Sequence, residues 1–113
     1  MTSREIAKIA HDVIDEKQGE NIKVIDISNV SIIADYFLIA SANNVNQLQA
    51  ISDAVQEQLA KSGVHIKQIE GNRNATWVLL DYGDVVIHLF DKEDRFFYNL
   101  ERIWMDGKVV ENI

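Results

Sequence analysis

The sequence predicts an α+β fold: a mixed β-sheet of about five strands flanked by helices, in the order αββαβββα. Three observations carry that expectation. Two stretches hold aliphatic residues at helical spacing: Ile6, Ile9, Ala10, Val13 and Leu48, Ile51, Val55, Leu59. Around them stand runs rich in β-branched and aromatic residues, bounded by Gly, Asn and Asp. The run WVLLDYGDVVIHLF, Trp77 to Phe90, holds two such segments around one Tyr82-Gly83 step. Strands interleaved with helices require at least one crossover, while the last three strands can form a meander. A length of 113 residues argues for a single domain spanning 1–113.

The first helix is expected over Thr2 to Lys17. Thr2 and Glu5 stand three residues apart, as a capping box requires, and Gly19 is the expected stop. Two strands follow, Ile22 to Ser28 and Asp35 to Ser41. Between them NVSIIA is too apolar for an ordinary solvated loop; a helical turn and a strand extension are both open. The second helix spans Asn44 to Ser62, with Asn44 as cap, Gln47 as its capping-box partner and Gly63 at the left-handed end position. Val64 to Glu70 reads as a half-buried strand whose alternation slips at Ile69. GNRN, from Gly71, is a turn, and the Trp77–Phe90 hairpin comes next. Asp91-Lys-Glu-Asp94 starts a last helix with an aspartate as the expected cap and Phe97, Leu100, Ile103 and Trp104 at helical spacing, ended by Gly107. The tail KVVENI is either a short strand or loose.

Composition narrows the function. An apolar fraction of 47% is that of a globular chain, so disorder is not expected. There is no cysteine, hence no disulfide framework and no thiolate metal site. No apolar run approaches the ~20 residues of a membrane span. The opening MTSREIAKIAHDVIDEK carries early acids and no long apolar centre, unlike a secretory signal. A cytoplasmic protein without a membrane is the expectation. The net charge is −7, from 11 Lys+Arg against 18 Asp+Glu. A nucleic acid is therefore not the expected main ligand, and a basic protein suits the field better.

Catalytic patterns are missing. There is no G-x-x-x-x-G-K-[ST] or G-x-G-x-x-G phosphate loop, no H-E-x-x-H, and no G-x-S-x-G around Ser41. No cofactor, metal or catalytic residue is expected. The chemistry-bearing residues gather instead in the hairpin. With Tyr82-Gly83 as a two-residue turn, Asp81 pairs with Asp84, Leu79 with Val86, Trp77 with His88, and Ala75 with Phe90, all on one face. The other face, Val78, Leu80, Val85, Ile87 and Leu89, is aliphatic, as a core requires. Two aspartates directly opposite would repel, so this register needs compensation or is wrong. The acids admit three readings: solvated turn formers; metal ligands, if Asp26 and Asp35 converge on them; or the rim of a binding surface with aromatic anchors.

Three motifs carry a resemblance over nearly the whole chain. They are ADYFLIASANN at Ala34 to Asn44, W-x-L-x-D-Y-G-D-V-V-I-H-L-F at Trp77 to Phe90, and R-x-F-Y-x-L-E-R-I-W at Arg95 to Trp104. Together they resemble the Iojap/RsfS family of ribosomal silencing factors. The resemblance implies a nucleotidyltransferase-like α+β fold without transferase chemistry. It also implies binding to the large ribosomal subunit through a bridge-forming ribosomal protein, number fourteen of the large-subunit series, so that subunit joining is blocked and translation repressed. A homodimer is a further implication. The partner-binding residues are then expected to be Trp77, Leu79, Val86 and His88 as floor, with Asp81 and Asp84 reaching basic side chains. Two other classes stand beside this: an active nucleotidyltransferase, and a dimeric scaffold with no ribosomal role.

Overall fold

The computed structural model describes residues 1–32, 34–71, 76–92, 107–111 and 113. The capping box at Thr2 is formed: the Thr2 side chain accepts from the Glu5 N–H (3.1 Å), and Glu5 Oε1 accepts from the Thr2 N–H (3.2 Å). It opens α1 (Ser3–Glu16), which buries Ile6, Ala7, Ala10 and Ile14, with Ile9 and Val13 at the margin of the core. The exit differs from expectation. Gln18, not Gly19, takes the left-handed conformation (φ 65°). Gly19 serves close packing instead, since a Cβ there would collide with Ile14 Cγ2.

The second helix, α2 (Val45–Lys61), starts at Asn44, whose side chain accepts from the Gln47 N–H (2.8 Å). The expected capping box is not closed, because the Gln47 side chain takes other partners. Its Oε1 accepts from the Asn43 N–H (2.7 Å), one residue before the cap. Its Nε2 donates to the Lys17 and Gln18 carbonyls (3.3 and 3.1 Å). One glutamine thus ties the start of α2 to the end of α1. Gln47→Ala removes these bonds and is expected to cost about 1–2 kcal/mol, lowering the thermal midpoint by about 5–10 °C in a calorimetric scan. Gly63 takes the left-handed end position (φ 84°), as predicted.

The strands are β1 (Glu20–Asp26), β2 (Tyr36–Ala42), β3 (Gln68–Glu70), β4 (Trp77–Asp81), β5 (Val85–Asp91) and β6 (Lys108–Val109). They form one mixed sheet in the order β3-β4-β5-β2-β1-β6, with β2 and β5 parallel and every other pair antiparallel. The α+β class holds. The sheet has one strand more than expected, supplied by the KVV tail. The predicted strand Val64–Glu70 shrinks to its last three residues, all exposed, while Val64 and Ile66 pack against the core ahead of it. The predicted last helix lies outside the described residues, as do Ala75 and positions 72–74 of the GNRN turn.

Both helices pack against each other and against one face of the sheet. Between helices and sheet lies the main core, including Ile14, Leu38, Leu48, Ile51, Val55, Leu59, Leu80, Ile87 and Leu89. Burial of these aliphatic side chains, each worth about 1.5–3 kcal/mol, is what holds the layers together. No helix among the described residues is long and apolar enough to cross a membrane. On the opposite face sits a second, smaller apolar cluster of Ile25, Ile27, Ala34, Ile39 and Phe90, with Phe37, Trp77 and Val86 packed at its edge.

Candidate functional site

Alternation along the strands puts Trp77, Leu79 and Asp81 of β4 and Val86, His88 and Phe90 of β5 on the face away from the helices. Phe37 and Ile39 of β2 share it, since Phe37 pairs with Val86 and Ile39 with His88. The hairpin register differs from the predicted one. Asp81 pairs with Val86, Leu79 with His88, and Trp77 with Phe90. The turn is centred one residue later, on Gly83 and Asp84: Gly83 takes φ 87°, and the Tyr82 N–H donates to the Val85 carbonyl (2.9 Å). A glycine in first place with positive φ is what a type II′ hairpin requires. The pairing is displaced by two residues, so every side chain keeps its predicted face.

This correction removes the expected clash of acids. Asp84 sits exposed at the tip, and Asp81 faces Val86. Asp81 Oδ1 accepts from the Gly83 N–H (2.7 Å), so this carboxylate shapes the turn as well as lining the face. The Asp84 carbonyl accepts from the Asp35 and Tyr36 N–H groups (2.7 and 3.1 Å), pinning the hairpin tip to the start of β2.

Four rings stack along this face. Centroids lie 5.1 Å apart for Phe37–His88, 6.1 Å for Trp77–His88, 6.1 Å for His88–Phe90 and 6.3 Å for Trp77–Phe90, with interplanar angles from 4° to 17°. Trp77 and His88 are diagonal neighbours, not directly opposed, and diagonal spacing still lets long side chains meet. Trp77 Nε1–H donates to His88 Nδ1 (3.2 Å). Indole nitrogen is a donor only, so Nδ1 is unprotonated and the neutral imidazole carries its proton on Nε2. Burial pushes the His88 pKa down to about 4, so the ring is neutral near pH 7. Its Nε2 is buried with no hydrogen-bond partner among the described residues.

The face combines closed and open positions. His88, Phe90, Ile39 and Ile25 are buried, whereas Trp77, Leu79, Val86, Asp81 and Phe37 are half-buried. All six sequence-predicted site residues lie on this face or at its hairpin tip. Phe37 was missed, because its place there depends on β2 lying beside β5. Alternation in DYFLIAS pairs Phe37 with Ile39 on one face, but says nothing about the neighbouring strand. Among the described residues no three His, Asp or Glu side chains come together in a way that could hold a metal ion. The two further acids considered at the outset are occupied locally. Asp26 Oδ1 accepts from the Ser28 N–H and Oγ (2.9 and 2.6 Å), which hold its carboxyl below the usual range, and Asp35 Oδ2 accepts from Ser3 Oγ (2.9 Å).

Fold and site together define a small α+β protein with a partly open aromatic sheet face edged by acids. The chain belongs to the family described as ribosomal silencing factor during starvation, RsfS, whose sequence profile matches residues 1–113. It is 41% identical over 111 residues to the ribosomal silencing factor RsfS of Bacillus subtilis (strain 168), covering 98% of this chain and 94% of that one. It is 36% identical over 107 residues to the chloroplastic protein Iojap of Arabidopsis thaliana, covering 95% of this chain and 43% of that longer protein. Among solved structures, a Chromobacterium violaceum protein superposes with a TM-score of 0.88 at 30% identity, over 100% of this chain and 94% of that one. A Bacillus halodurans protein does so with 0.85 at 36% identity, over 97% and 100%.

Proposed function

We propose that this chain is a non-catalytic translation repressor of the cytoplasm. It docks on the large ribosomal subunit at a bridge-forming ribosomal protein, number fourteen of the large-subunit series, and blocks joining of the small subunit. The observation that carries this reading is the aromatic row on the sheet face opposite α1 and α2, where half-buried Trp77 and Phe37 stack with buried His88 and Phe90. Aromatic anchors ringed by polar groups are the usual hot spots of protein interfaces. A net charge of −7 favours approach to a basic ribosomal protein. Membership of a silencing-factor family supports the same direction.

The mechanism is steric. No bond is made or broken. A domain that binds the free large subunit more tightly than the joined ribosome shifts the population toward separated subunits. Trp77, Leu79 and Val86 supply the contact floor. His88 lies beneath them and holds the Trp77 indole through its Nδ1. Asp81 and Asp84 meet basic side chains of the partner.

The test is sucrose-gradient sedimentation of separated subunits mixed with the purified protein. The expected result is a smaller joined-ribosome peak and migration of the protein with the large subunit. Migration with the small subunit alone would sink the proposal. Nucleotide turnover that vanishes in Asp84→Ala would sink it equally, in favour of an enzyme.

Asp84→Lys probes the electrostatic part. Asp84 is exposed and its pinning bonds use only the backbone carbonyl, so the variant is expected to keep its thermal midpoint within a few degrees. Its association with large subunits is expected to slow several-fold at low salt, with the difference shrinking as salt is added. Asp81 is a poorer probe, since its carboxylate also holds the Gly83 N–H.

A further inference from the structure

Val30 and Ile32 of the β1–β2 connection join neither of the two apolar clusters. Val30 is 54% exposed and Ile32 is fully exposed. The turn that presents them is tightly tied. The Val30 and Ser31 N–H groups both donate to the Ile27 carbonyl (3.0 and 2.8 Å), and the Ile27 N–H donates to the Asp35 carbonyl (2.8 Å). The Ser28 N–H and hydroxyl both donate to Asp26 Oδ1. Val30 is therefore presented by a hydrogen-bonded turn and Ile32 stands fully exposed just after it, at a cost of water contact that the fold itself does not recover.

The position of the loop says what it meets. Its two roots, Ile27 and Ala34, belong to the same small apolar cluster as Phe90, Phe37 and Trp77. Its far end is joined to the hairpin tip through the bonds from the Asp35 and Tyr36 N–H groups to the Asp84 carbonyl. Loop roots and aromatic face thus share one apolar cluster, with the exposed Asp84 at the hairpin tip beside them. We infer that Val30 and Ile32 form a second anchor for the basic partner, seating in an apolar recess rimmed by its Lys or Arg side chains. This rests on the docking reading given above.

Charge selects that occupant over the others. An anionic membrane surface or a nucleic acid would meet acids of its own sign. A second copy would bring the same acids, and another net charge of −7, against this loop. A basic protein surface suits the aliphatic tip, the nearby Asp84 and the net charge of −7 together.

The experiment uses the full chain carrying Val30→Ser with Ile32→Ser, beside Ile32→Leu and Trp77→Ala, each titrated against purified large ribosomal subunits by co-pelleting. The double serine variant is expected to bind about tenfold more weakly or worse, as loss of an anchor does. Its unfolding midpoint is expected to stay within a few degrees of the parent, because Ile32 is fully exposed and Val30 more than half so. Ile32→Leu keeps the apolar contact and is expected to bind like the parent. Parent-like binding by the double variant, with Trp77→Ala defective, overturns the loop anchor and leaves the docking face standing. Failure of the parent itself to pellet with large subunits overturns both. Should the parent sediment alone as a dimer that the double variant abolishes, the occupant is a second copy and the inference falls.

Discussion

Acidification from pH 7 to pH 4 is expected to remove on the order of 3 kcal/mol of stability through His88 alone. In the folded chain burial holds its pKa near 4, against 6.5 as its ordinary value. The neutral ring is the form the fold accepts, with Nδ1 receiving the Trp77 N–H. The unfolded chain takes up a proton as pH falls through 6.5, and the folded chain does so only near 4. His88's contribution is thus complete above pH 6.5, lost progressively between 6.5 and 4, and changes no further below. Urea unfolding at a series of pH values measures it. Carboxylates titrate in the same acid range, so the informative quantity is the difference between the parent and His88→Phe. Phenylalanine keeps a ring in the stack and cannot be protonated. Its profile should be flatter across that window by about the same 3 kcal/mol. Parallel profiles for the two proteins would mean that His88 titrates normally and that the stack does not exclude water.

Truncation of Trp77 is expected to do two things at once. Its indole packs against Phe90 and His88 on one side and remains half open on the other. Trp77→Ala loses that packing and strands His88 Nδ1, which together should cost about 3 kcal/mol of folding stability. Domains of this kind start with about 5–15 kcal/mol, so the variant is expected to remain folded at low temperature. Binding to large subunits, measured under those conditions, should weaken by about 2 kcal/mol or more. Trp77→Phe separates the contributions: it keeps an aromatic anchor but loses the N–H bond to His88, and should cost only about 1 kcal/mol of stability. A folded Trp77→Ala protein that still binds and still blocks subunit joining would place the docking surface elsewhere on the molecule.

Local signals survived well in this sequence. The Thr2–Glu5 box, the Asn44 cap and the Gly63 exit depend on neighbours within a few positions, and they formed as read. The two faces of the hairpin were also legible, because a displacement of two residues leaves side-chain parity unchanged. The register itself was not. Both Tyr82-Gly83 and Gly83-Asp84 satisfy a two-residue turn on paper. The backbone chose the one that puts glycine first and separates the two acids. Sheet order was beyond reach, since the β2–β5 pairing joins segments with no pattern in common. The composition of the site followed from that pairing. Phe37 could join Trp77 and His88 only once β2 was known to lie beside β5.

The parallel β2–β5 ladder also delays completion of the centre of the sheet. Its partners, such as Tyr36 with Val85, lie about 50 residues apart, and loops of that length close late. During synthesis β1 and β2 are made before either of their outer neighbours, β6 and β5, and the edge of β2 that awaits β5 is the very apolar YFLIASA. Helix α2 can cover one side of this strand, but its missing neighbour is not yet made. At about 5–20 residues per second the wait for β5 lasts several seconds. Throughout it the central strand of the molecule offers an open hydrogen-bonding edge to any other nascent segment. Slow translation, which lengthens that exposure, should raise this protein's dependence on chaperones that shield apolar strands.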